Sequence, residues 1–307
     1  MPGLPDQVLD LLGLRPRRVV AVKDVPLGNG NWLVEAAAGQ RFVLRRYHAW
    51  TTGEDLAYEH AVVGHLAVIG WVVPEAVGEP VSWQDCWYCL TRYVPGEAVT
   101  AEDAGQRSRR GRDLARLHLA LRGLDERIGQ RPGWRPQHAA VTVRAANDWE
   151  ECVRGLASVN PRLASWAQAA AMQVRDSLAA IGAADLPVMV VHGDFAEWNV
   201  HYEDGRLAGV IDFGFTHMDT RPYELAIART YRAPQAIDAY REELAAGGWP
   251  LSELEEAAMA PVYRAFRVGM AAAEMADGRI TGSYDLAMIE RQLSRTGTAA
   301  PLRRWLR

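Results

Sequence analysis

Lysine is almost missing from this 307-residue chain: Lys23 is the one lysine, and arginine supplies the rest of its 34 basic residues. A site that ordinarily uses a lysine therefore has Lys23 or an arginine to draw on. Cysteine is scarce as well, and three residues are too few for a disulfide framework. Cys86 and Cys89 form a C-x-x-C within SWQDCWYCLTRYV, but that stretch reads as a β-strand, whose side chains alternate. Positions three apart then face opposite sides, so two semi-buried strand cysteines are expected rather than a redox or metal pair. No apolar run reaches the ~18 residues a membrane span requires. The first residues, MPGLPDQVLDLLGLRPRR, carry their basic side chains after the short apolar run, the reverse of a secretory leader, so a cytoplasmic location is expected. A net charge of −4 gives no pull toward nucleic acid or a polyanionic surface.

What is present divides near Pro95-Gly96. Before it, Pro5 to Leu14 reads as a helix, and RVVAVKDV, NWLVEAA and QRFVLRRY as three strands separated by PLGNGN and by a turn at Ala38-Gly39. Gly53 to Ile69 is helical in pattern, and EAVGEPVSW and CWYCLTRYV are extended. After it, helical patterns dominate: Gly105 to Leu124, Ala145 to Ala157, Pro161 to Ile181, Arg221 to Tyr231, Pro234 to Ala246, Leu251 to Ala276 and Ser283 to Ser294. They are interrupted once, by two short apolar strands read as a pair, PVMVVHGD and LAGVIDFG. The layout predicts an α+β chain in two lobes: an antiparallel sheet with one helix over residues 1–94, and a larger, mainly helical part over 95–307.

The chemistry concentrates between Val188 and Gly214. A strand ends at His192-Gly193-Asp194, a loop passes through Asn199, and the next strand ends at Asp212-Phe213-Gly214, giving H-x-D-x-x-x-x-N and then D-F-G. A short motif alone is weak, since an aspartate in a turn commonly just bonds its own backbone. Ordered as strand, loop, strand, the set suits phosphoryl transfer. That reaction asks for one carboxylate beside an acceptor hydroxyl, and for hard oxygen ligands that hold a magnesium ion against nucleotide phosphates.

HGDFAEWNV and GVIDFGF resemble the catalytic and metal-binding motifs of the aminoglycoside phosphotransferase and choline/homoserine kinase-like superfamily, which has a bilobal, protein-kinase-like fold. The resemblance covers roughly residues 20–275. It implies that Asp194 is the catalytic base, supported by His192, that Asn199 and Asp212 bind Mg2+, and that residues 1–94 form the nucleotide-binding lobe. PLGNGNW stands where the family covers the nucleotide, which singles out Gly28, Gly30 and Asn31. In FVLRRY the family's phosphate-binding basic residue falls on Arg45, with Glu59 on the following helix as its partner. Lysine is the usual choice there, so arginine is a departure, though one that stays charged and grips phosphate bidentately. Arg46 is expected to face solvent. CLTRYVPGEAV resembles the hinge, so Thr91, Tyr93 and Val94 are expected beside the purine of ATP or GTP. His118 is expected to pack, and Asp219, Arg221 and Glu224 to be structural; Glu224 stands where the family has an aspartate before L-A.

The acceptor, a small hydroxylated molecule, is expected against the helices of residues 95–307. An aminoglycoside, being a polycation, asks for carboxylates. Candidates are Asp148, Glu150, Glu151, Glu253, Glu255, Glu256, Glu274 and Asp277, while Glu197 and Trp198 lie in the catalytic loop itself. A homoserine- or choline-like metabolite is the alternative acceptor. Two other readings are a nucleotide-binding pseudokinase, which intact Asp194, Asn199 and Asp212 oppose, and a protein kinase, for which the chain lacks a recognisable A-P-E segment.

Overall fold

The computed structural model describes residues 6–23, 29–99, 103–144, 146–227 and 234–297. They fall into two compact units, Met1–Thr100 with Trp198–Gly214, and Ala101–Glu197 with Phe215–Arg307.

The first unit begins with a short helix, α1 (Asp6–Leu11), ending three residues earlier than the predicted Leu14. Strands β1 (Arg18–Lys23), β2 (Gly30–Glu35) and β3 (Arg41–Arg46) follow, then α2 (Gly53–Val68), β4 (Val81–Trp83) and β5 (Cys86–Arg92). The strands form one antiparallel sheet in the order β1-β2-β3-β5-β4. Register sets its two faces. Trp32, Leu44 and Leu90 are opposite one another and share a buried cluster with Val8 of α1, Val34 and Tyr88. The neighbouring row, Asn31, Arg45 and Cys89, belongs to the other face by the period-two rule. There Cys89 packs with Tyr47 and with Leu56 of α2. Cys86 packs against the first cluster, so the two cysteines do part company, and burial pushes the Cys89 thiol up to about 12. Helix α2 starts on a reciprocal cap: Thr52 accepts from the Asp55 amide at 3.1 Å, and the Asp55 carboxylate accepts from the Thr52 amide at 2.9 Å. A two-residue strand, β6 (Glu97–Ala98), closes this stretch.

The second unit opens with α3 (Ala104–Leu121), α4 (Asp125–Ile128), α5 (Trp149–Val159) and α6 (Pro161–Ala180), and then β7 (Met189–Val191). Helix α5 starts four residues later than predicted, because Asp148 caps it. The chain then gives β8 (Val200–Glu203) and β9 (Arg206–Val210) to the first unit. It returns with β10 (His217–Asp219), α7 (Arg221–Ile227), α8 (Pro234–Ala246), α9 (Glu253–Thr281) and α10 (Leu286–Ser294). The end of the helix predicted to reach Tyr231 lies outside the described residues. Helix α3 packs on α8, and α9 on α5, α6, α7 and α10.

The two apolar strands expected here are not partners of each other. β7 pairs with β10, and β9 with β8, which in turn pairs with β6. Each apolar run has its own short polar-flanked partner, which apolarity alone does not reveal. Among the described residues no helix is long and apolar enough to cross a membrane.

Candidate active site

In the first unit the site is built on Arg45. Its Nη2 donates to Asp212 Oδ1 at 2.6 Å, linking β3 to the segment after β9. Burial opposes a charge at this position, yet attraction to Asp212, then to Glu59 and Tyr47, holds the guanidinium pKa above the ordinary arginine range. Asp212 adopts φ 66°, a left-handed conformation that Asp tolerates better than most residues. The backbone beside it is held by Ile211 N–H, which donates to the Asn199 carbonyl at 2.9 Å. Arg45, Asn199 and Asp212 are thus brought into one unit from three separate motifs. Gly214 completes the D-F-G with space in mind: a Cβ there would meet Arg45 Nη2 at 2.9 Å.

Glu59 is buried on α2 and accepts from the Tyr47 hydroxyl at 3.1 Å, while the Tyr47 ring lies 4.8 Å from the Arg45 guanidinium carbon. The sequence reading missed Tyr47, although it sits two residues from Arg45 and so on the same strand face. Arg46, expected in solvent, is half-buried, with its guanidinium carbon 5.9 Å from the Trp32 ring.

Of the residues expected to cover a nucleotide, Gly28 lies outside the described residues, as does the stretch just before it. Gly30 and Asn31 open β2, with Asn31 opposite Arg45, and Asn29 Oδ1 accepts from the His48 amide at 3.0 Å. At the segment expected to be the hinge, Thr91 pairs with Val43 and its hydroxyl donates to the Val43 carbonyl at 3.2 Å. Tyr93 stacks under Arg41, and Val94 is buried.

In the second unit the turn after β7 carries Asp194. His192 is fully buried and its Nδ1 accepts from the Asp194 amide at 3.1 Å. Gly193 has φ 83°, and a Cβ there would collide with the Phe215 carbonyl, so glycine is required on two counts. Glu224 braces the turn from α7: its two carboxylate oxygens accept from the Gly193 amide at 2.9 Å and from the Phe195 amide at 3.2 Å. Burial pushes Glu224 up to about 7, against those two hydrogen bonds, which favour its anion. Asp194 is left half-buried at the end of this braced turn. The structural role expected of Glu224 therefore has a specific object. Thr216 donates to the Val191 carbonyl at 2.6 Å, and Arg131 to the Thr216 carbonyl at 2.7 Å, tying β7 to β10. Neither residue was singled out from sequence.

His118 packs as expected: Nδ1 meets the Tyr240 hydroxyl at 2.6 Å, and burial, then Arg221 and His192, lower its pKa to about 3. Asp219 accepts from the Gln137 amide and meets His217, and Arg221 grips Glu255 through two contacts of 2.7 and 2.6 Å. Several acidic acceptor candidates are committed locally. Asp148 caps α5, Glu151 pairs with Arg279, Glu255 caps α9 and holds Arg221, and Glu256 pairs with Arg241. Glu274 keeps its proton more readily than usual through burial and the nearby Asp277 and Asp285. Trp198 is exposed and Glu197 half-buried.

Residues 22–261 match the phosphotransferase enzyme family, APH. A homoserine kinase of Phenylobacterium zucineum is 29% identical over 254 residues, covering 75% of this chain and 71% of that protein. A homoserine kinase of Azorhizobium caulinodans is 28% identical over 248 residues, covering 75% and 70%. Among solved structures, the amicoumacin kinase hAmiN in complex with AMP-PNP, Ca2+ and Ami aligns with a TM-score of 0.69 at 14% identity, covering 95% of this chain and 92% of that one. A thermostable mutant of the aminoglycoside phosphotransferase APH(4)-Ia aligns with a TM-score of 0.63 at 17% identity, covering 96% and 100%. These structural likenesses establish a shared fold, in agreement with the α+β architecture.

Proposed function

We propose, from the premise that this chain belongs to the phosphotransferase enzyme family, that it moves the γ-phosphoryl group of ATP or GTP to a hydroxyl group of a small molecule. The observation that most supports this is the 2.6 Å contact of Arg45 with Asp212, which joins the basic position of FVLRRY to the D-F-G carboxylate. In this reading Asp194 orients the acceptor hydroxyl and takes its proton. The acceptor oxygen bonds to the γ-phosphorus, the bond to the β-γ bridging oxygen breaks, and the nucleoside diphosphate leaves with that electron pair. Arg45 holds the α- and β-phosphates, Gly30 and Asn31 lie along the nucleotide, and backbone from Thr91 to Val94 meets the purine edge. His192 and Glu224 keep the Asp194 turn in place. Residues 1–94 serve as the nucleotide-binding lobe and 95–307 as the catalytic and acceptor-binding lobe.

Asn199 and Asp212 offer an amide oxygen and a carboxylate, hard donors that suit Mg2+ shared with phosphate oxygens. The bound ion would neutralise charge on those phosphates. The hydrogen bond from Ile211 to Asn199 fits the pair to this task by fixing their backbones relative to one another.

For the acceptor, the local commitment of Asp148, Glu151, Glu255 and Glu256 favours a small amino alcohol of the homoserine kind over a polycation. The test is a nucleotide-consumption screen with ATP and GTP against homoserine, choline, aminoglycosides, macrolides and nucleosides. Turnover of any such alcohol supports a small-molecule kinase, and ADP or GDP production dismisses the pseudokinase. Turnover of aminoglycosides but not of homoserine or choline would overturn the amino-alcohol reading. Labelling of protein acceptors without turnover of a small alcohol would overturn the whole assignment.

A further inference from the structure

The phosphoryl-transfer reading leaves one buried polar side chain beside Arg45 without a task. Tyr47 is 2% exposed, and its amide donates to the Trp87 carbonyl at 2.8 Å, so the backbone continues the pairing of β3 with β5 one residue past the strand. That fixes it two residues from Arg45 on the same face. Its hydroxyl donates to Glu59 at 3.1 Å and its ring faces the Arg45 guanidinium, 4.8 Å from the guanidinium carbon. A phenol satisfies two charges in this way, the carboxylate through its hydroxyl and the cation through its ring. A lysine at position 45 would end in a compact ammonium, whereas the guanidinium is longer and planar. Here it reaches Asp212, and Glu59 attracts it across the tyrosine.

We propose that Tyr47 is a positioning residue of the phosphate-donor site, carrying the hold of Glu59 onto Arg45 and directing the Nη2 edge of the guanidinium to Asp212. The proposal rests on the reading of Arg45 and Asp212 as donor-site groups, and its test separates the two.

A fluorescent ATP analogue is titrated into the full chain with and without Mg2+, alongside KM for nucleotide and acceptor and a thermal-unfolding control. Tyr47→Phe removes the hydroxyl and keeps the ring. The loss of one hydrogen bond to a charged group predicts nucleotide binding weaker by about tenfold, with the acceptor KM unchanged. Glu59→Gln carries the same expectation, and serves alone if Tyr47→Phe does not fold. Tyr47→Phe combined with Glu59→Gln is expected to match the single variants rather than multiply them, because both act through one contact. Nucleotide affinity equal to wild type in Tyr47→Phe, fully multiplicative losses in the double variant, or a parallel rise of both KM values overturns the role of Tyr47 alone. A wild-type chain that binds no nucleotide overturns the functional reading and this proposal together.

Discussion

Replacing Glu224 with glutamine probes the brace behind Asp194 through its dependence on pH. Glu224 is fully buried and its folded pKa lies near 7, against 4.5 for the free side chain. Between those values the unfolded chain has released the proton that the folded chain still holds. Folding therefore takes up a proton in this window, and the contribution of Glu224 to stability falls as pH rises from 4.5 to 7. The full shift, 7 minus 4.5, is worth about 3 kcal/mol at 1.36 kcal/mol per unit. His118 acts in the opposite sense over much of the same range: its folded pKa is lowered, so its contribution is lost as pH falls below 6.5. The two overlap in the wild type, and the difference between wild type and Glu224→Gln isolates one of them. Denaturant unfolding at pH 5, 6, 7 and 8 is the assay. Part of the full effect is already lost below pH 5, so Glu224→Gln is expected to gain on the wild type by about 2–3 kcal/mol between pH 5 and pH 8. Turnover moves the other way. An amide presents a single acceptor oxygen, so one of the Gly193 and Phe195 amides loses its acceptor, and kcat at pH 8 is expected to drop by about tenfold to a hundredfold. A stability difference that stays flat with pH, or an unchanged kcat, refutes the reasoning.

Asp194→Asn is expected to leave nucleotide binding intact and to lower turnover by at least about a thousandfold, measured as acceptor phosphorylation; near-normal turnover would sink the assignment of the base. Gly193→Ala combines a positive φ with a clash at the Phe215 carbonyl, and a stability lower by about 2–3 kcal/mol, read from denaturant unfolding, is expected. Arg221→Met strands the fully buried Glu255 carboxylate and is expected to cost about 3–5 kcal/mol of stability while nucleotide affinity stays the same; a cost below about 1 kcal/mol would show that the pair is dispensable.

The legible parts of this molecule are those whose information is local. The spacing of Asp194, Asn199 and Asp212 survives in the linear chain because Asp194 and Asp212 follow short apolar strands and Asn199 stands just before one, and strands announce themselves by apolar runs. Helix α2 is legible through its periodicity. Less of the pairing was readable. β8 is only four residues long and β10 three, too short for an alternating pattern, so β7 and β9 looked like each other's partners. Residue contacts over long separations were hidden for another reason. Glu224 reaches back 31 residues to Gly193 with nothing in its own neighbourhood to mark it beyond the position before Leu225-Ala226. Tyr47 is close to Arg45 in sequence, but its link to Glu59 depends on side-chain directions that periodicity does not carry. Arg46 illustrates the same point, since strand alternation predicted its face correctly and not the indole that covers it.

The separation of Arg45 from Asp212, 167 residues along the chain, has a consequence for synthesis. At about 5–20 residues per second, some ten to thirty seconds pass between the emergence of β3 and that of its carboxylate partner. Once β5 has emerged, and until Asp212 follows, the guanidinium belongs to a sheet that has its strands but lacks this carboxylate. Desolvating a cation that lacks its Asp212 partner is costly, so the face bearing Arg45 stays open to water while the opposite face, with Trp32, Leu44 and Leu90, is free to close. The nascent sheet thus matures one side at a time, and the side that carries Arg45 is the last to set.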